Sequence, residues 1–323
     1  MIHRRLLPAL LAAPALLHPA LAQVQWSPAR QIRLVAPYAP GGGVDTASRL
    51  LAPPMGAALG QPVVVENRGG AGGSIGAAEV ARATPDGLTV MVDALAHTVN
   101  PALMRGLPFD YATAFTPITQ ILVWPQILLV PPALPVRSLA EFMAYAKARP
   151  GQLSYGSSGN ATAAHLASAL LLARAGVEMT HVPYRGGAPA LQDLLAGNLS
   201  FVFGTVASSL QLAQEGRARA LAVSSARRLE ALPEVPTVAE QGFPDYELNE
   251  WNGLYGPAGL SPAMVARWHG AVGAALADPA VRTRLGALGA IPVGSSPETF
   301  AAFVTAQREV MARLVRDTRI ELG

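Results

Sequence analysis

The sequence of 323 residues contains no cysteine. This absence excludes disulfide bonds, thiol catalysis and zinc sites built from thiolates. A chain of this length can bury enough apolar surface to fold without such crosslinks. The cysteine-free composition therefore excludes the small disulfide-rich secreted domains and the cysteine-dependent enzymes.

Charged residues are also scarce, at 14%, against 51% hydrophobic residues, which excludes an intrinsically disordered chain. Lys147 is the sole lysine. Because a nucleotide-binding phosphate loop needs a lysine directly after a glycine, and Lys147 follows Ala146, that loop is absent. The formal net charge is only +3, so we expect no nucleic-acid partner.

The amino-terminal residues 1–22 have the organisation of a secretory signal peptide. Arg4 and Arg5 precede an apolar run at residues 6–17, and Ala20 and Ala22 form a small-residue cleavage site. The run of about 12 residues is shorter than the ~20 that a membrane-spanning helix needs. We therefore expect cleavage near Ala22 and export. Since extracellular eukaryotic proteins commonly carry disulfides, the absence of cysteine favours the bacterial periplasm.

Strand and helix patterns alternate along the rest of the chain, which predicts an α/β fold with mostly parallel sheets covered by helices. The helix after Asp45 contains Pro53 and Pro54, which should kink or restart it. Ser138 and Glu141 form a capping box that predicts another helix start. Proline at the first helical position predicts three more starts, at Pro262, Pro279 and Pro297.

Four predicted strand-to-helix turns are rich in glycine, serine and threonine. They are residues 40–45, 69–74, 156–160 and 185–188. In α/β sheets such turns lie at the carboxyl ends of the strands, where ligands bind. Glycine permits close approach of a ligand to the backbone, and a helix N-terminus favours an anion. The four turns together therefore favour a carboxylate site, although each could be required only by the fold.

No catalytic or metal-binding pattern is present. The metalloprotease sequence His-Glu-x-x-His and the hydrolase sequence Gly-x-Ser-x-Gly are both absent. The histidines after residue 22 are His97, His165, His181 and His269, and none is followed by another at the third or fourth position. We therefore predict no catalytic residue, no metal site and no cofactor.

Several residues near the glycine-rich turns have two interpretations. His181 is most simply a packed, hydrogen-bonded histidine, and His165 could orient the turn before it or be purely structural. Asp45 could contact a ligand or cap the helix N-terminus. Arg68 and Arg185 could each pair with a carboxylate or remain solvated.

The chain resembles the periplasmic substrate-binding proteins of tripartite tricarboxylate transporters, also called the Bug family. The resemblance covers nearly all of the chain after residue 22. The matching motifs are Leu-Val-Ala-Pro-Tyr-Ala-Pro-Gly-Gly-Gly-Val-Asp within residues 32–45, and residues 60–68, 70–73, 97–101, 115–118, 181–186, 232–237 and 257–259.

This resemblance implies a two-lobed, flytrap-type fold with two crossover strands and a ligand between the lobes. The first lobe would comprise residues 23–123 and 250–300, the second residues 124–249, and residues 301–323 a C-terminal helix that could cross the hinge. Such proteins are not enzymes. They capture a small carboxylate and present it to a membrane permease, and we expect this chain to be a monomer without a cofactor.

In the family, the carboxylate is held largely by backbone amides of the strand-to-helix loops. The resemblance implies these ligand-binding residues in the first lobe: Tyr38, Gly42, Gly43, Asp45, Gly72, Gly73 and Ser74. In the second lobe it implies Ser157, Ser158, Asn160, Thr162, Tyr184, Arg185, Gly186 and Thr205.

The chain departs from the family at one motif. The family usually reads Gly-x-x-Asp-x-x-Phe-Asp, whereas here Ser200 and Gly204 occupy the positions of the two acids. If the second position borders the cleft, Gly204 and Thr205 should leave more room and less negative charge there.

Two other functions remain open from the residues. One is a sensory ligand-binding protein that reports to a membrane kinase instead of a permease. The other is a secreted hydrolase or lyase that uses the same cleft, although no nucleophile and base pattern supports it.

Overall fold

The structure, a computed structural model, describes residues 26–184 and 186–318. The predicted signal peptide and Arg185 lie outside the described residues. Two separate β-sheets are each flanked by helices, as expected of the predicted α/β fold. The strands are β1 (Ile32–Ala36), β2 (Val63–Asn67), β3 (Thr89–Ala94), β4 (Phe115–Trp124), β5 (Gln126–Val130), β6 (Ser154–Ser157), β7 (Thr180–Pro183), β8 (Phe201–Thr205), β9 (Arg219–Val223), β10 (Glu250–Pro257) and β11 (Ile291–Pro292).

Both sheets are mixed. The first has the strand order β11-β4-β10-β3-β1-β2 and the second β7-β6-β8-β5-β9. Strands that alternate with helices along the chain pair in parallel, as the sequence pattern predicts. The strands β4, β5 and β10 pair antiparallel to their neighbours because they carry the chain between the sheets.

Ten helices cover the sheets within the described residues. They are α1 (Gly43–Leu59), α2 (Ser74–Ala81), α3 (Ala96–Leu103), α4 (Leu139–Lys147), α5 (Ala163–Ala175), α6 (Gly187–Leu195), α7 (Val206–Gln214), α8 (Pro262–Ala277), α9 (Pro279–Ala287) and α10 (Pro297–Thr318). The predicted starts at Pro262, Pro279 and Pro297 are confirmed. The capping prediction is confirmed as well, because the Ser138 hydroxyl accepts a hydrogen bond from the Glu141 N–H at 3.1 Å.

Helix α1 runs without interruption although it contains Pro53 and Pro54. Of the two predicted alternatives, a kink or a restart, the structure excludes the restart. Each proline removes one backbone donor, but Leu51 and Met55 of the same helix are fully buried in the core of the first sheet. Burial of such side chains stabilises a helix by ~1.5–3 kcal/mol each, which offsets the missing hydrogen bonds.

The chain passes between the two sheets at two adjacent crossings. The first joins β4 to β5 through Pro125, and the second leads from β9 back to β10. The Ser224 hydroxyl links them, since it accepts from the Gln126 N–H at 2.9 Å and donates to Asn249 Oδ1 at 2.7 Å. These crossings have the arrangement of a hinge between two lobes.

The C-terminal helix α10 packs on α3 and β4 of the first sheet and also contacts α5, which covers the second. This contact supports the proposal that the helix crosses the hinge. The lobe boundaries at residues 123, 249 and 300 stay a prediction.

Candidate functional site

The glycine-rich turn after β1 brings the start of α1 to the first crossing. Gly42 is the N-cap of α1 and is exposed, as is Gly43. A Cβ atom at Gly43 would lie 3.3 Å from Trp124 Nε1, so the helix start packs directly on the last residue of β4. The first N–H groups of a helix have no acceptor within the helix. They are therefore positioned beside the hinge.

The start of α7 approaches the same crossing from the second sheet. The Val206 N–H donates to the Pro125 carbonyl at 3.0 Å, and Thr205 is paired in register with Gln126. Thr205 is the N-cap of α7, and its hydroxyl lies 2.9 Å from the Ser208 hydroxyl. Two helix N-termini, one from each sheet, thus converge on Trp124 and Pro125.

Tyr38 joins the first two glycine-rich turns. Its hydroxyl donates to Asp93 Oδ1 at 2.8 Å. Gly73 has φ +90, and a Cβ atom there would lie 3.1 Å from the Tyr38 hydroxyl and its ring carbon. Burial, together with the nearby Asp93 charge, raises the pKa of Tyr38 well above its usual value. The phenol therefore stays protonated, and it donates that proton in its hydrogen bond to Asp93.

Asp45 organises the first turn instead of capping the helix. Its carboxylate is 5% exposed and accepts from the Gly41 N–H, Arg49 Nε and Asn67 Nδ2, each at 2.9 Å. Burial alone would raise its pKa, but these donors lower it. The N-cap of α1 is Gly42, so the capping interpretation of Asp45 was wrong. Its oxygens are already occupied by protein donors, and it positions the turn.

The turn before α2 is hydrogen-bonded to a side chain of α3. Asn100 Nδ2 donates to the Gly72 carbonyl at 2.9 Å, and Gly72 has φ +58. A Cβ atom at Gly72 would lie 3.0 Å from Met104 Cε. Ser74 is buried at the first position of α2. The turn therefore leaves little room for a side chain at Gly72.

Arg68 is half exposed and belongs to a surface ion-pair cluster. Its Nη2 lies 3.3 Å from Glu66 Oε2 and its Nε 3.5 Å from Glu79 Oε2. Arg33 pairs with the same two carboxylates. The guanidinium therefore already has two anionic partners within the protein.

In the second sheet, the turn after β6 is held by internal hydrogen bonds. The Ser157 hydroxyl donates to the Gly159 carbonyl at 2.9 Å. Thr162 caps α5, accepting from the His165 N–H at 3.4 Å and donating to the Gly159 carbonyl at 2.9 Å. Ser158 and Asn160 are partly exposed, and their side chains make no hydrogen bond with the described residues. These two side chains are the available polar groups of this turn.

His181 and His165 stack with ring centroids 3.7 Å apart beneath this turn. His165 Nδ1 accepts from the Ala161 N–H at 3.1 Å, so this histidine does orient the turn. Burial, with a smaller contribution from His181, lowers the pKa of His165 to about 4. Burial also lowers the pKa of His181.

The structure places Ser157 Oγ 2.7 Å from His181 Nε2, a contact that the sequence spacing does not show. Ser157 is completely buried. Among the described residues, no carboxylate pairs with His181. A nucleophile needs access to substrate and a base oriented by a third group, and Ser157 has neither. His181 is therefore the packed, hydrogen-bonded histidine that the sequence predicts.

The remaining turn, before α6, contains Tyr184 and Gly186. The Tyr184 hydroxyl donates to Asp193 Oδ2 at 2.5 Å, and burial together with this bond raises the pKa of Tyr184 to about 12. Gly186 is the N-cap of α6 with φ +119. Arg185, between them, lies outside the described residues.

Gly204 does not open the space that the sequence departure predicts. It is buried, and a Cβ atom there would overlap with the Ser209 hydroxyl of α7. The side chain of Ser209 fills the space into which a side chain at position 204 would point. The expectation that Gly204 leaves more room there was therefore wrong.

Sequence reasoning missed two acids near the site, of which Asp93 is buried and Glu250 is partly buried. Asp93, in β3, is 1% exposed and accepts from Tyr38 while lying 2.9 Å from His97 Nδ1. Glu250, at the start of β10, accepts from the Leu95 N–H at 2.9 Å and the Trp251 N–H at 3.1 Å. Burial raises the pKa of Glu250 to about 7. The sequence feature that could have identified Asp93 is its position as the single acidic residue in the otherwise apolar strand β3.

The described residues contain no group of three or more potential metal ligands, and none of their helices is long and apolar enough to cross a bilayer. The site therefore consists of helix N-termini, glycine-rich turns and a few uncharged side chains around the hinge. Such a set of donors can hold an anion.

Comparison with known proteins identifies relatives over most of the chain. The family model described as "Tripartite tricarboxylate transporter family receptor" matches residues 47–320. The periplasmic binding protein BugD has a solved structure with 32% identity and a TM-score of 0.77, covering 92% of this chain and 100% of that one.

Two further solved structures contain small carboxylates. Rpa4515 of R. palustris, solved with adipate, has 35% identity and a TM-score of 0.79, covering 92% of this chain and 99% of that one. MatC from Rhodopseudomonas palustris, solved with bound malate, has 34% identity and a TM-score of 0.75, covering 89% of this chain and 99% of that one.

Proposed function

The chain belongs to the tripartite tricarboxylate transporter receptor family, whose members are non-enzymatic periplasmic solute-binding receptors, and from this we propose that it binds a small carboxylate between its two lobes. The observation that carries the proposal is the convergence of the α1 and α7 N-termini on Trp124 and Pro125. A ligand held there touches both lobes at the hinge. The adipate and malate of the related structures support a carboxylate of this size.

The proposed ligand contacts are the backbone N–H groups of the glycine-rich turns and the free side chains of Ser158 and Asn160. Asp45 and Tyr38 shape the turns, because their polar atoms are engaged within the protein. The N–H groups of Gly42 and Gly43 lie at the positive end of the α1 dipole.

These contacts can supply the affinity of a receptor. A dissociation constant of 1 μM corresponds to about −8 kcal/mol. One hydrogen bond to a charged group contributes ~1.5–3 kcal/mol, and a helix N-terminus adds ~0.3–1 kcal/mol. A few donors for each carboxylate therefore reach this value after the entropy of association is subtracted. A cationic side chain is not needed.

The proposal extends to the physiological role. The receptor would be exported by its 1–22 segment, cleaved near Ala22, and would deliver its carboxylate to the membrane permease that the family name implies. The small net charge fits a small-molecule ligand better than a polyanion.

Calorimetric titration of the purified protein with adipate, malate and other small carboxylates tests this function. We expect saturable one-to-one binding of at least one carboxylate and no turnover of ester or amide substrates. Absence of binding across a panel of mono-, di- and tricarboxylates would contradict the proposal, and ester or amide hydrolysis would favour the hydrolase alternative.

Ligand binding should close the two lobes. A ligand that touches both lobes favours the closed state by its differential affinity for that state. Small-angle scattering should therefore show a smaller radius of gyration with saturating carboxylate than without it. An equal radius in both samples would count against the hinge.

Ser158→Ala should weaken carboxylate binding by ~1–3 kcal/mol, because it removes a hydroxyl that has no partner within the described residues. Arg68→Ala should change binding little, since this guanidinium is paired with Glu66 and Glu79. Calorimetry on both variants decides the point. If Arg68→Ala abolishes binding and Ser158→Ala leaves it unchanged, recognition depends on an arginine instead of the turns.

A further inference from the structure

Glu250 lies at the edge of the first sheet where the proposed carboxylate site is. It is the first residue of β10, which runs antiparallel to β3. The start of β10 is therefore beside the carboxyl end of β3 and of β1, which is parallel to β3. Glu250 pairs in register with Trp124, whose indole packs beside Gly43 at the start of α1. The side chain is thus next to the hinge and to the proposed ligand.

The two carboxyl oxygens of Glu250 have different surroundings. Oε1 accepts from the Leu95 N–H at 2.9 Å and from the Trp251 N–H at 3.1 Å. Oε2 has no hydrogen-bond partner among the described residues, and it is not enclosed by the protein, since the side chain is only partly buried. One oxygen therefore fixes the carboxyl group, and the other is available to a ligand.

The surroundings of this carboxyl group favour its neutral form. Burial raises the pKa of Glu250 to about 7, with the two N–H donors opposing this shift and the Asp93 charge adding to it. Because Oε1 accepts two hydrogen bonds, the proton of the neutral acid belongs on Oε2. The accessible oxygen is therefore a hydrogen-bond donor in the neutral acid.

The other titratable groups near Glu250 are held by partners of their own. Asp93, from β3, accepts from the Tyr38 hydroxyl and lies 2.9 Å from His97 Nδ1 of α3. Tyr38, from the turn after β1, keeps its proton. Glu247, from the second crossing, is hydrogen-bonded within that crossing. A carboxylate ligand beside an ionised Glu250 would therefore meet a like charge, whereas the neutral acid offers it a donor.

We propose that Glu250, in its neutral form, is a ligand-binding residue whose Oε2–H donates a hydrogen bond to a carboxylate of the ligand. This inference rests on the proposed function, because it concerns the same cleft. Hydrogen bonds to an ionised acceptor are shorter and stronger than those between neutral groups. Binding is then coupled to a proton, since the complex retains a proton that the free protein releases at alkaline pH. The position selects a carboxylate and disfavours a cationic group.

The affinity should therefore depend on pH between pH 6 and pH 8. Carboxylate ligands are largely ionised over this range, and His165, whose pKa is about 4, does not titrate within it. With a pKa near 7 in the free protein and the proton retained in the complex, the dissociation constant should rise about tenfold from pH 6 to pH 8.

Calorimetric titration of the purified protein with sodium adipate and with sodium malate, at pH 6 and pH 8 and one ionic strength, measures this change. Repeating the titrations at pH 8 in HEPES and in Tris gives the number of protons taken up, because the two buffers have different ionisation enthalpies. We expect an uptake of about one proton for each ligand bound at pH 8. This measurement uses wild-type protein and does not depend on the folding of a variant.

Glu250→Gln keeps an oxygen for the Leu95 and Trp251 N–H groups and provides an amide N–H donor that does not titrate. It should bind with the same dissociation constant at both pH values and take up no proton. Glu309→Gln is the matched control, since it makes the same substitution at an exposed position of α10. It should show the pH dependence of wild-type protein.

The outcomes separate this inference from the proposed function. Binding of adipate or malate with one dissociation constant at both pH values, and without proton uptake, would overturn the inference and leave the proposed function in place. Tighter binding at pH 8 would show that the ionised carboxylate contacts the ligand, and full pH dependence in Glu250→Gln would assign the proton to another group. Either result would also overturn it. If neither ligand binds at either pH, both this inference and the proposed function lose their support.

Discussion

Gly43→Val should abolish carboxylate binding. A Cβ atom at this position would already lie 3.3 Å from Trp124 Nε1, and valine adds two methyl groups beside the first N–H groups of α1. The indole cannot move freely, because Trp124 Nε1 donates to Asn252 Oδ1 at 2.8 Å and the ring is 4% exposed. The methyl groups therefore occupy the space that a carboxylate would need. We expect affinity to fall more than 100-fold, which corresponds to about 2.7 kcal/mol or more.

Calorimetry with a carboxylate that wild-type protein binds measures this effect. Gly270→Val is the matched control, since Gly270 is an exposed glycine of α8 and a Cβ atom there would have no neighbour within 4 Å outside the adjacent helix backbone. It introduces the same side chain away from the hinge and should bind normally. Circular dichroism should first show that both variants are folded. Wild-type affinity in Gly43→Val would remove the α1 N-terminus from the proposed site.

Gly72→Val should have a similar effect for a different reason. Gly72 has φ +58, a conformation that a β-branched residue rarely adopts, and its Cβ would lie 3.0 Å from Met104 Cε. The turn before α2 would therefore change its backbone path and displace the donors at the start of that helix. We expect loss of binding in calorimetry, with some loss of stability. A folded variant with unchanged affinity would show that this turn does not touch the ligand.

Glu250→Gln should stabilise the protein at alkaline pH. Burial raises the pKa of Glu250 to about 7, from a usual value of 4.5. Between these two values the folded state holds a proton that the unfolded state has released, so the free energy of unfolding falls as pH rises. At 1.36 kcal/mol for each pH unit between the two pKa values, the loss is complete near pH 8 and amounts to at most about 3.4 kcal/mol.

Glutamine removes this charge and keeps an oxygen that can accept from the Leu95 and Trp251 N–H groups. Urea denaturation should therefore show a gain for Glu250→Gln over wild type that is small near pH 4.5 and largest near pH 8. Glu309→Gln changes an exposed glutamate of α10 and should give no gain that varies in this way. Equal stability of Glu250→Gln and wild type at pH 8 would contradict this prediction. It would show that the ionised Glu250 side chain does not destabilise the folded protein.

The sequence by itself determined the fold class and the positions of the turns. Alternating strand and helix patterns, proline at helix starts and the Ser138 cap all act within a few residues, and the structure reproduces them. The glycine-rich turns are local signals of the same kind. The motifs quoted between residues 32 and 259 together indicated the family, which the match over residues 47–320 shows.

Only the tertiary structure decided which groups remain free to meet a ligand. Tyr38 is committed to Asp93, 55 positions along the chain, and Asn100 holds Gly72 from 28 positions away. The space at Gly204 is filled by Ser209 of the next helix. These contacts follow from how the helices pack on the sheets. Local patterns specify elements, whereas hydrogen bonds and volume in the site depend on residues that meet only after the elements have packed.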